Sequence, residues 1–277
     1  MKLSAKLYKK LPKSIRKKTN NLYKYLPRSK KTVTKTIDGI TYELDLSTIV
    51  HSQIYHYGYW EEDVTNIINK TLHEGMVAFD IGASTGPHTF RMAKLVGKNG
   101  KVYAFEPSKA LFPKLKKGIE LNNFKNIMPE NLALSNIEEV KAYYMNNLFR
   151  LGRQEDYMPP MPTNFITLDD YVKGKKIKKI DFIKLDVDGY ETKIIKGGFE
   201  SIKKFKPVMI VEFAKGCQEN YGCTLEELAD VLMLLGYNFY NTTTLKEYEN
   251  ILEAVPDTGS INVLCLQRKV NATTRKD

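Results

Sequence analysis

Cysteine is scarce in this sequence and long apolar runs are missing. The three cysteines, Cys217, Cys223 and Cys265, form neither a CxxC pair nor an even set. A disulfide framework is therefore not expected, and reduced thiols in a cytoplasmic setting fit best. No stretch approaches the roughly 18 apolar residues that span a bilayer. The opening MKLSAKLYKKLPKSIRKK also lacks the apolar block of a secretory signal. Internal repeats and low-complexity segments are absent beyond the first 37 residues.

Acidic residues are missing from one place only. Residues 1–37 carry thirteen of the 43 Lys and Arg residues and no Asp or Glu. That leaves 30 basic against 32 acidic residues afterwards, so the formal charge of +11 belongs to the N-terminal segment and the body is near neutral. Leu3, Leu7, Leu11 and Ile15 recur every four positions among lysines, the pattern of a helix lying on an anionic membrane surface, with Pro12 interrupting it. A solvated basic tail fits the same residues, and contact with nucleic acid is the third reading.

What is present is a folding body of ordinary size. With 42% hydrophobic residues in 277, the chain can bury one large core, alone or with an appendage. Alternation at Ile40, Tyr42, Leu44 and Leu46 predicts a strand or hairpin arm, followed by the aromatic-rich YHYGYW. Val64, Ile67, Ile68 and Leu72 then fall at helical spacing before Gly75. Strand-like VAF, KVYAF, IMPENLALS, IDFIKL and PVMIVEF alternate with helical PHTFRMAKLV and ALFPKLKKGIELNN, which predicts an α/β fold with a parallel sheet and helices on both faces. Thr224 and Glu227 form a capping box for LEELADVLMLL, which stops at Gly236. YNFYNT and INVLCLQR follow without a helix-length periodic segment between them, so the sheet should end in an antiparallel hairpin. The expected division is a basic tail over 1–37, an appendage over 38–75 with acceptor contacts, the main domain over 76–270 and a short tail over 271–277.

The loop in MVAFDIGASTGPHTF, residues 76–90, follows a strand and opens a helix, the place where an open parallel sheet binds its ligand. Gly82, Ala83, Ser84 and Gly86 let a ligand approach the backbone, and Pro87 suits the first helical turn. A phosphate-binding loop needs Gly-Lys-Ser/Thr, but Gly86 precedes Pro87 and His88. A dinucleotide loop needs GxGxxG without an acid in front, but Asp80 stands there. Asp80 suits a ligand with a cationic part, and Glu106, at the end of the next strand, suits ribose hydroxyls. Together they point to S-adenosylmethionine.

The second constellation is IDFIKLDVDGYETKIIKGG, residues 180–198. Ile183, Leu185 and Val187 share one strand face, and Lys184, Asp186 and Asp188 the other. Charges in a central strand are costly unless they pair or bind something. Asp186 is the candidate base or acceptor orienter, Lys184 sets its charge state, and Glu191 and Glu212 shape the pocket. The alternative is a structural ion-pair cluster. No spacing supports a metal ligand set.

AFDIGASTGPHT, YAFEPS, NLALS, FITLDDYV and IDFIKLDVDGYETKIIKGG, in this order, resemble the FkbM family of S-adenosylmethionine-dependent methyltransferases over roughly residues 40–215. The resemblance implies the Rossmann-like, seven-stranded class I methyltransferase sheet with one reversed strand, and O-methylation of a small molecule or glycan. It implies donor contacts at Asp80, Gly82, Gly86 and Glu106, to which Ala83, Ser84, Ser108 and Asp186 are added, and a site role for Glu61 ahead of the first helix. Onto the family's lysine-aspartate block fall Lys184, Asp186, Gly189 and Glu191. Asp188 stands where a glutamate is usual, and the loop reads Ala83-Ser84-Thr85-Gly86-Pro87-His88 where Ala-Asn-x-Gly-aromatic is common. His88 then either faces the pocket as substrate contact or base, or lies on the helix surface.

Tyr55, His56, Tyr57, Tyr59 and Trp60 are expected to grip a flat acceptor such as a sugar, with packing as the plainer account, preferred for Trp60. RLGRQEDYMPPMPTNF, with three prolines, predicts a loop over the acceptor or a long connection. A nucleic-acid methyltransferase, a non-catalytic nucleoside-binding module and a dehydrogenase are the competing functions. The first is weakened because Asp186-Val-Asp-Gly-Tyr190 replaces the Asn/Asp-Pro-Pro-aromatic run of enzymes that methylate base nitrogens.

Overall fold

In the computed structural model, residues 29–137, 139–143 and 161–268 are described. The surface helix expected within residues 1–28, and residues 150–160 of the proline-rich loop, lie outside them.

The chain enters through a hairpin, β1 (Thr32–Ile37) and β2 (Ile40–Asp45), paired antiparallel. Its turn is Asp38-Gly39, both at positive φ, the geometry that a two-residue hairpin asks of Asp-Gly. The boundary expected between residues 37 and 38 therefore runs through this turn, and residues 32–37 belong to the folded body. Two helices follow, α1 (Ile49–Tyr57) and α2 (Glu62–Thr71). The α1 helix was not expected, because the aromatic run disguises its periodicity.

The main layer is a seven-stranded sheet. It contains β3 (Val77–Ile81), β4 (Lys101–Phe105) and β5 (Ile127–Glu130) on one side of the chain's midpoint. The others are β9 (Phe182–Leu185), β10 (Val208–Phe213), β11 (Tyr237–Asn241) and β12 (Ile261–Gln267). Their order is β11-β12-β10-β9-β3-β4-β5, and β12 alone runs against both its neighbours, as the terminal strand pair predicted. Helices α3 (Pro87–Val96) and α4 (Phe112–Leu121) connect the first three strands. Between β5 and β9 lies a small sheet of β6 (Ala133–Ser135), β7 (Glu139–Tyr143) and β8 (Met161–Thr167), in the order β6-β8-β7. IMPENLALS is thus two strands in two sheets rather than one. MPTNF, expected as loop, is paired in β8.

Strand alternation splits the core into two layers. Phe79, Ile81, Ile183, Leu185 and Val211 face one side, packed under α5 (Leu168–Gly174), α6 (Glu191–Gly197), α7 (Phe199–Phe205) and α9 (Leu225–Leu234), the helix that follows the short α8 (Lys215–Glu219). Ala78, Ala104, Phe182 and Ile210 face the other side, where they share one core with Ile40, Leu44, Val50, Ile54 and Ile68 of the hairpin, α1 and α2. Residues 38–75 are thus part of the main core. Asn122 clasps β2 to the end of α4, accepting from Thr41 N and donating to Thr41 O, both at 2.7 Å. Asp80, Lys184 and Asp186 belong to this second face.

Candidate active site

At the carboxyl ends of β3, β4 and β9 lies a cavity with about 650 Å³ of empty space, part of it open solvent. Asp80, Ser84 and Glu106 line one part, Lys184, Asp186 and Asp188 another. Val50, Trp60 and His88 close the side beneath the N-terminal helices.

Glu106 is held from both ends. One carboxylate oxygen accepts from Ser84 N at 2.7 Å and the other from Ser108 N at 2.8 Å. Burial pushes its pKa up to about 7 against the lowering effect of these N–H groups. Each oxygen keeps a lone pair for a ligand hydroxyl. Ser108 Oγ in turn accepts from Ala110 N and Leu111 N, so Ser108 sets the turn that aims Glu106. Gly82 N and Ala83 N both donate to Phe105 O, stitching the loop to the end of β4. Gly86, at φ +92, caps α3 outside the cavity lining. Asp80 Oδ2 accepts from the Thr89 hydroxyl, while Oδ1 is buried with no hydrogen bond. A buried acceptor left open beside a cavity calls for a donor or cation from the ligand.

Lys184 Nζ lies 2.9 Å from Asp186 Oδ2 and 3.9 Å from Asp80 Oδ1. Burial alone would lower the lysine pKa, but Asp186, Asp80 and Glu61 outweigh it and raise it, so Lys184 stays charged. Burial would likewise raise Asp186, but Lys184 holds its carboxyl below the usual range. On the neighbouring strand, burial and the charges of Asp186, Glu191 and Asp188 push the Glu212 carboxyl well above its ordinary value. Burial followed by the Asp186 charge lifts Asp188 to about 7.

Glu191, expected among the catalytic acids, is fully buried and outside the cavity lining. It accepts from Val187 N (2.9 Å), Gly189 N (3.0 Å) and Gln218 Nε2, fastening the loop between β9 and α6. Glu191 therefore bears on the cavity through Asp186 and Asp188 of that loop. Glu61 also stands back from the lining. At φ +46 ahead of α2, it places one oxygen 3.1 Å from His88 Nε2 and accepts with the other from Asn262 Nδ2 at 3.0 Å. Of the five aromatic-segment residues, Trp60 alone reaches the cavity, and it also packs against the second-face core, the role preferred for it. Tyr57 stacks on Tyr59, and Tyr55 packs edge-on against His56.

His51 carried no sequence signal. Its Nδ1 accepts from Asp45 N at 2.9 Å, so Nε2 bears the proton and faces Thr85 Oγ1 at 2.9 Å. Burial holds its pKa down at about 4, so the ring stays neutral. It ties the N-terminal hairpin to the loop of residues 82–86.

The profile of the FkbM methyltransferase domain matches residues 80–240, and that of protein-L-isoaspartate (D-aspartate) O-methyltransferase matches residues 10–134. The chain is similar to the hexuronic acid methyltransferase AglP of Haloferax volcanii, 22% identical over 151 residues. That match covers 54% of this chain and 61% of the relative. Among solved structures it is similar to an FkbM methyltransferase of Methylobacillus flagellatus, at TM-score 0.45 and 10% identity, covering 91% of this chain and 60% of that one. It is also similar to the fibrillarin of Aeropyrum pernix bound to S-adenosyl-L-methionine, at TM-score 0.43 and 12% identity, covering 73% and 72%. The FkbM profile spans more than half of the sequence, including both charged constellations of the cavity, and the chain belongs to the FkbM family of S-adenosylmethionine-dependent methyltransferases.

Proposed function

We propose that the protein methylates a hydroxyl group of a sugar in a glycan or glycolipid. The observation that carries this reading is the meeting of Glu106 and the Lys184–Asp186 pair in one cavity. S-adenosylmethionine, when bound, supplies a methyl group on a cationic sulfur. The residues suit it: Glu106 has lone pairs for ribose hydroxyls, and Asp80 has an unmet acceptor facing a ligand that carries positive charge. Lys184 fixes Asp186, whose second oxygen orients the acceptor hydroxyl toward the methyl group.

The acceptor follows from charge. Asp80, Glu106, Asp186 and Asp188 line the cavity with Lys184 as the cation among them, a surround that receives a cationic donor and a neutral hydroxyl and repels a phosphate backbone. This charge pattern favours a sugar over nucleic acid as the acceptor. The relative AglP is named for a hexuronic acid, which supports a sugar as acceptor. Among the described residues no helix is long and apolar enough to cross a membrane. The basic residues 1–31 would bring a cytoplasmic enzyme to an anionic membrane as a peripheral contact.

Tritiated S-adenosylmethionine with a panel of nucleotide sugars, lipid-linked sugars and free glycans tests the reading. Label transferred to a sugar hydroxyl is expected. Titration with S-adenosylhomocysteine should give heat where NAD gives none, and the reverse would refute the donor assignment.

A further inference from the structure

The structure assigns the removal of the acceptor proton to His88, held by Glu61, and leaves Asp186 as the orienter. This rests on the methyl-transfer reading above and names the group that carries its proton step.

Asp186 is poorly placed as a base because Lys184 Nζ sits 2.9 Å from its carboxylate. Taking up a proton there would forfeit that ion pair in a buried setting. Lys184 is a cation and has no lone pair to offer. Glu106 has both oxygens engaged by main-chain N–H groups on the donor side.

His88 differs in each respect. It lines the cavity while its surface is only 3% exposed, so it is shielded from bulk water. Its Nε2 lies 3.1 Å from Glu61 Oε2, and a carboxylate only accepts. Nε2 therefore carries the proton, and in the neutral ring Nδ1 holds the lone pair. Glu61 is itself fixed, since its other oxygen accepts from Asn262 on β12 and its backbone sits at φ +46. A base with an orienting carboxylate behind it is the recurring arrangement of a general base. Glu61 ahead of α2 touches the ring, Asp186 just beyond β9 interacts with it electrostatically, and Lys184 of β9 interacts with both of those carboxylates.

In the step, the acceptor O–H proton passes to His88 Nδ1 and the oxygen forms the O–C bond as the C–S bond breaks, its electron pair remaining on sulfur. A carboxylate acceptor has no proton to lose and would leave His88 without a task. The product is therefore an ether.

The test uses the full chain with tritiated S-adenosylmethionine and a panel of 4-nitrophenyl hexosides and hexuronides. His88→Gln is expected to lower turnover about 100-fold or more, within the range for loss of a general base, with affinity for S-adenosylhomocysteine kept within about twofold. Added imidazole should restore part of the activity of His88→Ala, and Glu61→Gln should fall between His88→Gln and wild type. Turnover of His88→Gln within about threefold of wild type overturns the assignment, as does a loss of S-adenosylhomocysteine binding equal to the loss of rate. A long-range proton–nitrogen NMR spectrum of the complex with S-adenosylhomocysteine should show the Nε2–H tautomer, and an Nδ1–H tautomer overturns the proposal without any acceptor. Absence of methylation by the wild type would count against the sugar reading, and the tautomer would still decide the role of His88.

Discussion

Gly82 and Asp186 touch through their backbones: a Cβ built on Gly82 would fall 1.8 Å from the carbonyl oxygen of Asp186. The loop after β3 and the loop after β9 are thus packed main chain against main chain. Gly82 also sits at φ +85, a conformation that a side chain disfavours. Gly82→Ala should therefore part the two loops, with a stability loss of at least about 1–3 kcal/mol from the strained backbone alone. Thermal unfolding together with S-adenosylhomocysteine titration checks this, and an unchanged Tm with unchanged affinity contradicts it.

Asp186→Asn keeps the shape of the side chain and removes its charge. Turnover should drop by two or more orders of magnitude, about the loss expected when acceptor positioning fails, while donor affinity changes only a few fold. Single-turnover rates beside S-adenosylhomocysteine binding separate the two, and turnover near wild type removes Asp186 from the mechanism. Lys184→Met should be worse for folding, since it leaves Asp80 and Asp186 buried without their cation, at a cost of about 3–5 kcal/mol.

Glu106, Asp188 and Glu191 hold their protons up to about 7 in the fold, chiefly because they are buried. Unfolded, they release them near 4.5, 3.8 and 4.5. Between these limits the folded chain binds more protons, so the contribution of these acids to stability falls as pH rises toward 7. Asp186 acts oppositely, since Lys184 holds its pKa below 3.8, and its contribution is lost only on acidification through that range. The Tm of the ligand-free protein should decline between about pH 5 and pH 7.5. A cationic donor lowers the pKa of these acids, so its binding near neutrality should release protons, visible as a buffer-dependent heat. A rising Tm over that interval would contradict the argument.

Removal of residues 1–28 spares the main-chain bonds of Ser29 N to Leu46 O and Leu46 N to Lys31 O, which tie the next residues to the body. Turnover of a water-soluble acceptor should stay unchanged, and sedimentation with anionic vesicles should weaken by about tenfold or more, since each surface Lys or Arg is worth about 1 kcal/mol. Retained vesicle binding would place the contact elsewhere.

The parts of the site legible in the sequence were those that a short segment carries whole. Asp80 and the small residues after it read as a ligand loop because strand, turn and helix are contiguous. Glu106 read as its partner because it ends the next strand. The Glu61–Asn262 bond joins positions 201 apart, and no local pattern predicts it. His51 lies in a helix whose spacing is masked by aromatic residues, and its bond to Thr85 depends on how the hairpin docks. Glu191 looked like a site acid because a loop fastener and a catalytic acid have the same composition around them. The division of IMPENLALS was hidden because three-residue β6 is too short to show a period.

Val50 and Trp60 line the cavity, and behind them Glu61 is held by Asn262 from near the other end of the sequence. Val50, Trp60 and Glu61 precede the segment that the family shares, and Asn262 follows it. A fragment trimmed to residues 80–240 would keep Asp80, Glu106, Lys184 and Asp186 and lose the Val50 and Trp60 side of the cavity. Drift in these flanks can re-tailor what is methylated while the interior stays untouched, and exchange of flanks between relatives is a route to altered selectivity.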